Sequence, residues 1–87
     1  MNQLYRIDME KTVWRLIDGE IVILNLDSGH HYSLNKAGSL VWQLLNKNRT
    51  PPQIIEKMAQ AYNISQEVAQ EDVMSVLASL KKEGLVF

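Results

Sequence analysis

The chain has 87 residues, the size of one small domain, and a chain this short buries only about 60% of the surface its unfolded form exposes. Nine Lys and Arg stand against ten Asp and Glu, a net charge of −1, so the basic excess carried by a typical nucleic-acid binder is missing. Cysteine is absent, which excludes disulfides, thiolate metal sites and thiol nucleophiles and, in so small a domain, points to a cytoplasmic setting.

Residues 1–10 are left without a firm assignment, with a short extended piece expected over residues 4–9. Residues 11–34 read as a β-meander. Thr12-Val13-Trp14-Arg15-Leu16-Ile17 is β-branched and aromatic, and Asp18-Gly19 is the dipeptide of a type I′ hairpin turn. Glu20 to Leu26 forms a second strand. Asp27-Ser28-Gly29 suits a three-residue loop, and His30 to Leu34 forms the third strand. The two-residue turn pairs Leu16 with Ile21 and Trp14 with Ile23 on one face. The opposite face carries Val13, Val22, Leu24 and Leu26. The three-residue loop adds His30, Tyr32 and Leu34 to that second face and turns His31 and Ser33 away from it. The Trp14/Leu16/Ile21/Ile23 face then needs a cover. The candidates are the N-terminal segment (Leu4, Tyr5, Ile7, Met9) or a second copy of the chain.

Residues 35–87 read as three helices. Asn35 caps the first, whose apolar residues Ala37, Leu40, Val41, Leu44 and Leu45 recur at helical spacing, with Trp42 beside them. Thr50 caps the second, with Pro51 at its first position and Ile54, Ile55, Met58, Ala59 and Tyr62 inward; Asn63 stops it. Ser65 caps the third, with Ala69, Val73, Val76, Leu77 and Leu80 as its core stripe. Lys81 and Lys82 sit in its last turn, Gly84 ends it, and Leu85-Val86-Phe87 folds back on the core. The whole is expected to be a single α+β domain over residues 1–87, winged helix-turn-helix-like: a three-stranded antiparallel meander followed by three helices.

The residue chemistry points to binding rather than catalysis. His30 and His31 are neighbours on a strand and face opposite ways, so one metal ion cannot take both side by side. The glycines are scattered, the carboxylates form no acid–base pair, and Ser33 has no completed triad. No catalytic residue, metal site or cofactor is expected. The longest apolar run, Ile21-Val22-Ile23-Leu24, is far short of the about twenty residues of a membrane span. A winged-helix DNA regulator is the first alternative, but Glu67, Glu71 and Asp72 open the third helix and would repel phosphates. A structural dimerisation domain, joined through Trp14, Leu16, Ile21 and Ile23, is the second.

The run from Asp18 to Asn35, with Leu34-Asn35 opening a helix, resembles the signature of the pyrroloquinoline-quinone synthesis protein D family. So does Gly38-Ser39-Leu40-Val41-Trp42-Gln43-Leu44, a Gly-x-x-x-Trp-x-Leu helix, and so do Thr50-Pro51-Pro52-Gln53-Ile54-Ile55 and the closing helix to Gly84-Leu85. The resemblance spans roughly residues 13–87, with His31 at a position where the family has an aromatic. It implies a recognition element for ribosomally made, modified peptides. Such an element binds the leader segment of a precursor peptide and presents the core to separate enzymes. Two pathway types are open: the lasso-peptide type, whose partners are a leader peptidase and a cyclase, and the quinone-cofactor type, whose partner is a radical enzyme; family habit, and a length with no room for a fused enzyme, favour the first.

Strand 3 is an edge strand, and an extended peptide can add to it. The expected contacts on the strand are His30, His31, Tyr32, Ser33 and Leu34. On the third helix Val76 and Leu80 would floor a groove, and Val68, Asp72, Ser75 and Ser79 share one flank of the stripe. Each has a plainer reading beside it: Asp72 favours the early turns of its helix, Tyr32 packs in the core, and Trp42 is a core residue rather than a contact.

Overall fold

The computed structural model describes residues 5–87. Three strands come first: β1 (Thr12–Ile17), β2 (Glu20–Asn25) and β3 (His31–Ser33). Three helices follow: α1 (Lys36–Asn46), α2 (Pro51–Tyr62) and α3 (Gln66–Lys82). The strands form one antiparallel sheet in the order β1-β2-β3. The β1–β2 turn carries positive φ at both central residues, Asp18 at 52° and Gly19 at 82°. That is the twist-matched hairpin turn Asp-Gly favours.

All three helices start where side chains supply the missing acceptors. Asn35 accepts from the Gly38 N–H, Thr50 from Gln53 and Ser65 from Val68. The Thr50 backbone N–H in turn donates to Gln53 Oε1, closing a capping box around Pro51. Asn63 ends α2 in the left-handed region at φ 52°.

The second hairpin differs from the sequence expectation, and the difference moves every β3 side chain. The loop has four residues, Leu26 to Gly29, not three. The Asn25 side chain makes it: Oδ1 accepts from the N–H groups of Asp27 and Ser28 at 2.9 and 3.3 Å, and the Asn25 carbonyl accepts from Gly29. The side chain thus replaces backbone partners in the turn. Tyr32 therefore pairs with Ile23, His31 with Leu24 and Ser33 with Val22. Tyr32 and Leu34 lie on the inner face with Trp14, Ile21 and Ile23, and His31 and Ser33 lie on the outer face with Val13 and Leu24. A one-residue change in register exchanges the faces of a strand.

The inner face is covered by α1. Trp42 is fully buried, and its ring meets Trp14 edge-on at 6.1 Å between centroids. Ile21 and Ile23 are equally inaccessible, so these two residues are not available to a second copy, whereas Leu16 on the same face is 50% exposed. The possible dimer through Trp14, Leu16, Ile21 and Ile23 gains no support, because α1 covers the two isoleucines. The expected N-terminal cover is corrected. Tyr5 and Ile7 do join the core, Ile7 by a short antiparallel bridge to Val86, but Met9 is exposed. Leu4 lies outside the described residues. Tyr62, expected inward on α2, is instead 44% exposed, since the chain turns away at Asn63.

Ser39, which the pattern of apolar residues passes over, is buried and joins sheet to helix. Leu34 N–H donates directly to the Ile21 carbonyl, and the reciprocal bond runs through Ser39: its Oγ accepts from Ile21 N–H at 2.8 Å and donates to the Leu34 carbonyl at 3.1 Å. Ser39→Ala leaves a buried donor and acceptor unpaired. We expect a loss of about 1–3 kcal/mol, read as a fall in Tm of roughly 4–8 °C per kcal/mol in a domain of this size.

Candidate functional site

β3 has one free edge, and the ladder shows which groups it offers. Asn25 N–H donates to the His30 carbonyl at 2.9 Å, and Leu34 N–H donates to the Ile21 carbonyl at 2.8 Å. Bonded and non-bonded pairs alternate along an antiparallel ladder. The backbone groups of His30, Tyr32 and Leu34 therefore face β2. Those of His31 and Ser33 face outward and, among the described residues, meet no further strand, so they offer a template for one.

Beside that edge, on the inner side of the sheet, lies an open groove of about 240 Å³. Ser33, Leu34, Asn35 and Gly38 form one wall, from the corner where β3 becomes α1. Ser75, Val76, Ser79 and Leu80 of α3 form the other wall and the floor. Gly38 lets the corner close: a Cβ there would stand 3.3 Å from Asn35 Oδ1 and 3.4 Å from Leu34 Cβ, tighter than side chains normally pack.

The sequence-predicted residues divide accordingly. Ser33, Leu34, Ser75, Val76, Ser79 and Leu80 are brought together around the groove. Val68 and Asp72 are exposed and continue the same flank of α3 toward its N-terminus, outside the groove lining. His31 is exposed on the outer face. His30 sits at the base of the hairpin with its ring 6.4 Å from that of Tyr32, edge-on. Asn35 and Gly38, absent from the expected contacts, line the groove because they form the helix cap, a structural signal that carried no binding hint in the sequence. Among the described residues no group of three or more His, Asp or Glu is placed to hold a metal ion, and no helix is long and apolar enough to cross a membrane.

The end of α3 is tied to the hairpin. The Asn25 side chain donates to the Glu83 carbonyl at 3.2 Å. The Glu83 carboxylate, an acceptor that favours the neutral phenol, raises the Tyr32 pKa above its ordinary 10.0, with partial desolvation and the carboxylate's charge adding to the rise; Ser28 opposes it. The sign follows from the neutral phenol being the favoured form. Any stability from this contact is complete below pH 10 and lost as pH rises through the folded-state pKa. Glu83→Gln is expected to bring Tyr32 titration back toward 10, measured by ultraviolet absorbance of the tyrosinate.

The family profile described as "Coenzyme PQQ synthesis protein D (PqqD)" matches residues 20–86. No curated protein matches significantly. Among solved structures, TbiB1 in complex with the TbiA(beta) leader peptide is similar at 27% identity over 93% of each chain, with a TM-score of 0.88. A lasso peptide synthetase B1 complexed with the leader peptide is similar at 22% identity over 98% of this chain and 99% of that one, with a TM-score of 0.87. The second likeness is one of fold.

Proposed function

Since the chain belongs to the PqqD family, we propose that it is a non-catalytic module that captures the leader segment of a ribosomally made precursor peptide and hands the peptide to separate processing enzymes. The observation that carries this reading is the pairing of a free β3 edge with a groove along α3. The leader adds as a fourth strand, its backbone bonding the outward groups of His31 and Ser33. Strand addition takes its affinity from those backbone bonds and its selectivity from alternate side chains. Every second leader side chain points to the inner side and enters the groove between Leu34 and Ser75, Val76, Ser79 and Leu80. His30, Tyr32, Val68 and Asp72 flank the groove at its two ends.

The pathway is of the lasso type, and the partners are a leader peptidase and a cyclase acting in the cytoplasm. The leader complex of the relative at 27% identity supports leader binding, and the acidic opening of α3 argues against a duplex DNA partner. The test is a titration of isotope-labelled protein with the precursor peptide encoded beside it, followed through backbone amide shifts. Shifts are expected in residues 31–34 and 75–80, with little change along α2. A saturable shift pattern centred on β1 or α2 would overturn the groove assignment, and no binding would overturn the function.

A further inference from the structure

A second groove lies at the other end of α1. It has a volume of about 400 Å³ and is bounded by the C-terminal end of α1, the connection that follows and the exposed side of α2. Three cations line it: Lys47, Arg49 and Lys57. Glu56 is the one carboxylate in the lining, so the groove carries a net charge of two positive units in a chain whose total is −1. Gln53 and Gln60 add amide donors and acceptors, and Leu44, nearly buried, lies at the base.

Ordinary roles do not use up these charges. Lys47 caps α1, where a cation suits the helix dipole. Arg49 and Lys57 have no such role. The neighbours of Lys57 three and four positions away on α2 are Gln53, Ile54, Gln60 and Ala61, so no helical ion pair is available to it. Among the described residues none of the three cations lies within ion-pair distance of a carboxylate; the pair formed is Lys11 with Asp27 at 3.3 Å.

We propose that this groove docks an acidic peptide segment of a partner protein. Charge complementarity selects the occupant, with carboxylates meeting the three cations and the Gln53 and Gln60 amides pairing with its backbone. Duplex DNA fits less well. It needs an extended basic track, and the cations here are confined to one groove of an acidic chain. Gly38 lines the leader groove and Leu44 lines this one, about 9 Å apart along the axis of α1. The two sites are separate, so a bound leader and a docked partner can be held together. Because the cationic groove is argued from its own charges, the inference stands or falls apart from the leader reading.

The probe is a fluorescein-labelled decaglutamate peptide, followed by fluorescence anisotropy at low and at physiological ionic strength. Saturable binding that weakens with salt is expected. The triple variant Lys47→Glu, Arg49→Glu, Lys57→Glu should lose at least roughly tenfold in affinity, while its binding of the leader peptide stays unchanged. A control of equal charge change, Arg15→Glu, Lys36→Glu, Lys82→Glu, should bind the probe nearly as well as the parent chain. The milder Lys47→Gln, Lys57→Gln variant covers the case in which the triple reversal fails to fold. Absence of saturable binding, an equal loss in the control, or tighter binding of duplex DNA than of the acidic probe at the same salt would each overturn the proposal.

Discussion

Ser33→Pro is expected to weaken leader binding by roughly ten- to a thousandfold while the domain stays folded. The Ser33 N–H points away from β2, so a proline there removes no bond within the sheet, and an edge strand tolerates it. Towards an added strand the same change deletes one ladder donor and leaves a leader carbonyl without its partner. A net hydrogen bond contributes about 0.5–1.5 kcal/mol and an orphaned acceptor costs about 1–3 kcal/mol, which together cover that range. Tyr32 provides the contrast. Its backbone faces β2, so Tyr32→Pro breaks the ladder with Ile23 and should lower the Tm instead. Leu16→Pro supplies the second control, because β1 also has a free edge and its outward groups include those of Leu16. Calorimetric titration with the leader, together with thermal melting, separates the cases. Undiminished leader binding by a folded Ser33→Pro protein would remove strand addition at β3. A loss produced equally by Leu16→Pro would move the site to the other edge.

The residues that can be singled out in this experiment were only partly legible in the sequence. Turn and cap chemistry was the most readable layer, because it is local. Asp18-Gly19, Asn35, Thr50-Pro51, Asn63 and Ser65 each specify a backbone state within a few residues of themselves, and each adopts it. The β1–β2 register followed from its turn for the same reason. The β2–β3 register did not, because Asn25 reads as a strand residue while its side chain in fact builds the loop. That single residue decides whether Tyr32 or His31 lies on the inner face of the sheet. It also decides which backbone groups are free, and therefore which proline substitution is informative.

Long-range packing was the least readable layer. Both faces of the sheet carry apolar residues, so the pattern alone could not say which one the helices take. The burial of Ile21 and Ile23 in the core with Trp42 answers that and leaves the possible dimer there without support. The groove shows the same limit. Val76, Leu80, Ser75 and Ser79 could be placed on one side of α3 from helical spacing. Gly38 and Asn35 could not be placed opposite them, because they belong to a corner that exists only after β3 and α1 have docked. Ser39 was invisible for a related reason: its two partners, Ile21 and Leu34, come from separate segments.

The largest stability effect is expected at Trp42. The side chain is fully buried, packs edge-on against Trp14 and sits where α1 crosses the sheet. Truncating such a residue to alanine costs about 3–5 kcal/mol, from lost burial and an unfilled cavity. A chain of this length has a total stability of roughly 4–13 kcal/mol at 0.05–0.15 kcal/mol per residue. Trp42→Ala should therefore remove a large share of it and lower the Tm by about 12 °C or more. Trp42→Phe should cost much less. The indole Nε1 is buried and finds no acceptor among the described residues, so phenylalanine gives up contact area but also removes an unsatisfied donor. The comparison also links fold to function. Trp42 anchors α1, and the N-terminal turn of α1 carries the Asn35, Gly38 and Ser39 groups that set the β3 corner. Folded Trp42→Phe protein should hold the leader with near-parental affinity, because the outward groups of His31 and Ser33 are untouched. Leader binding by Trp42→Ala should fall in step with the unfolded fraction measured by circular dichroism. A Trp42→Ala protein that melts within a few degrees of the parent would show that α1 is held to the sheet by something other than this contact.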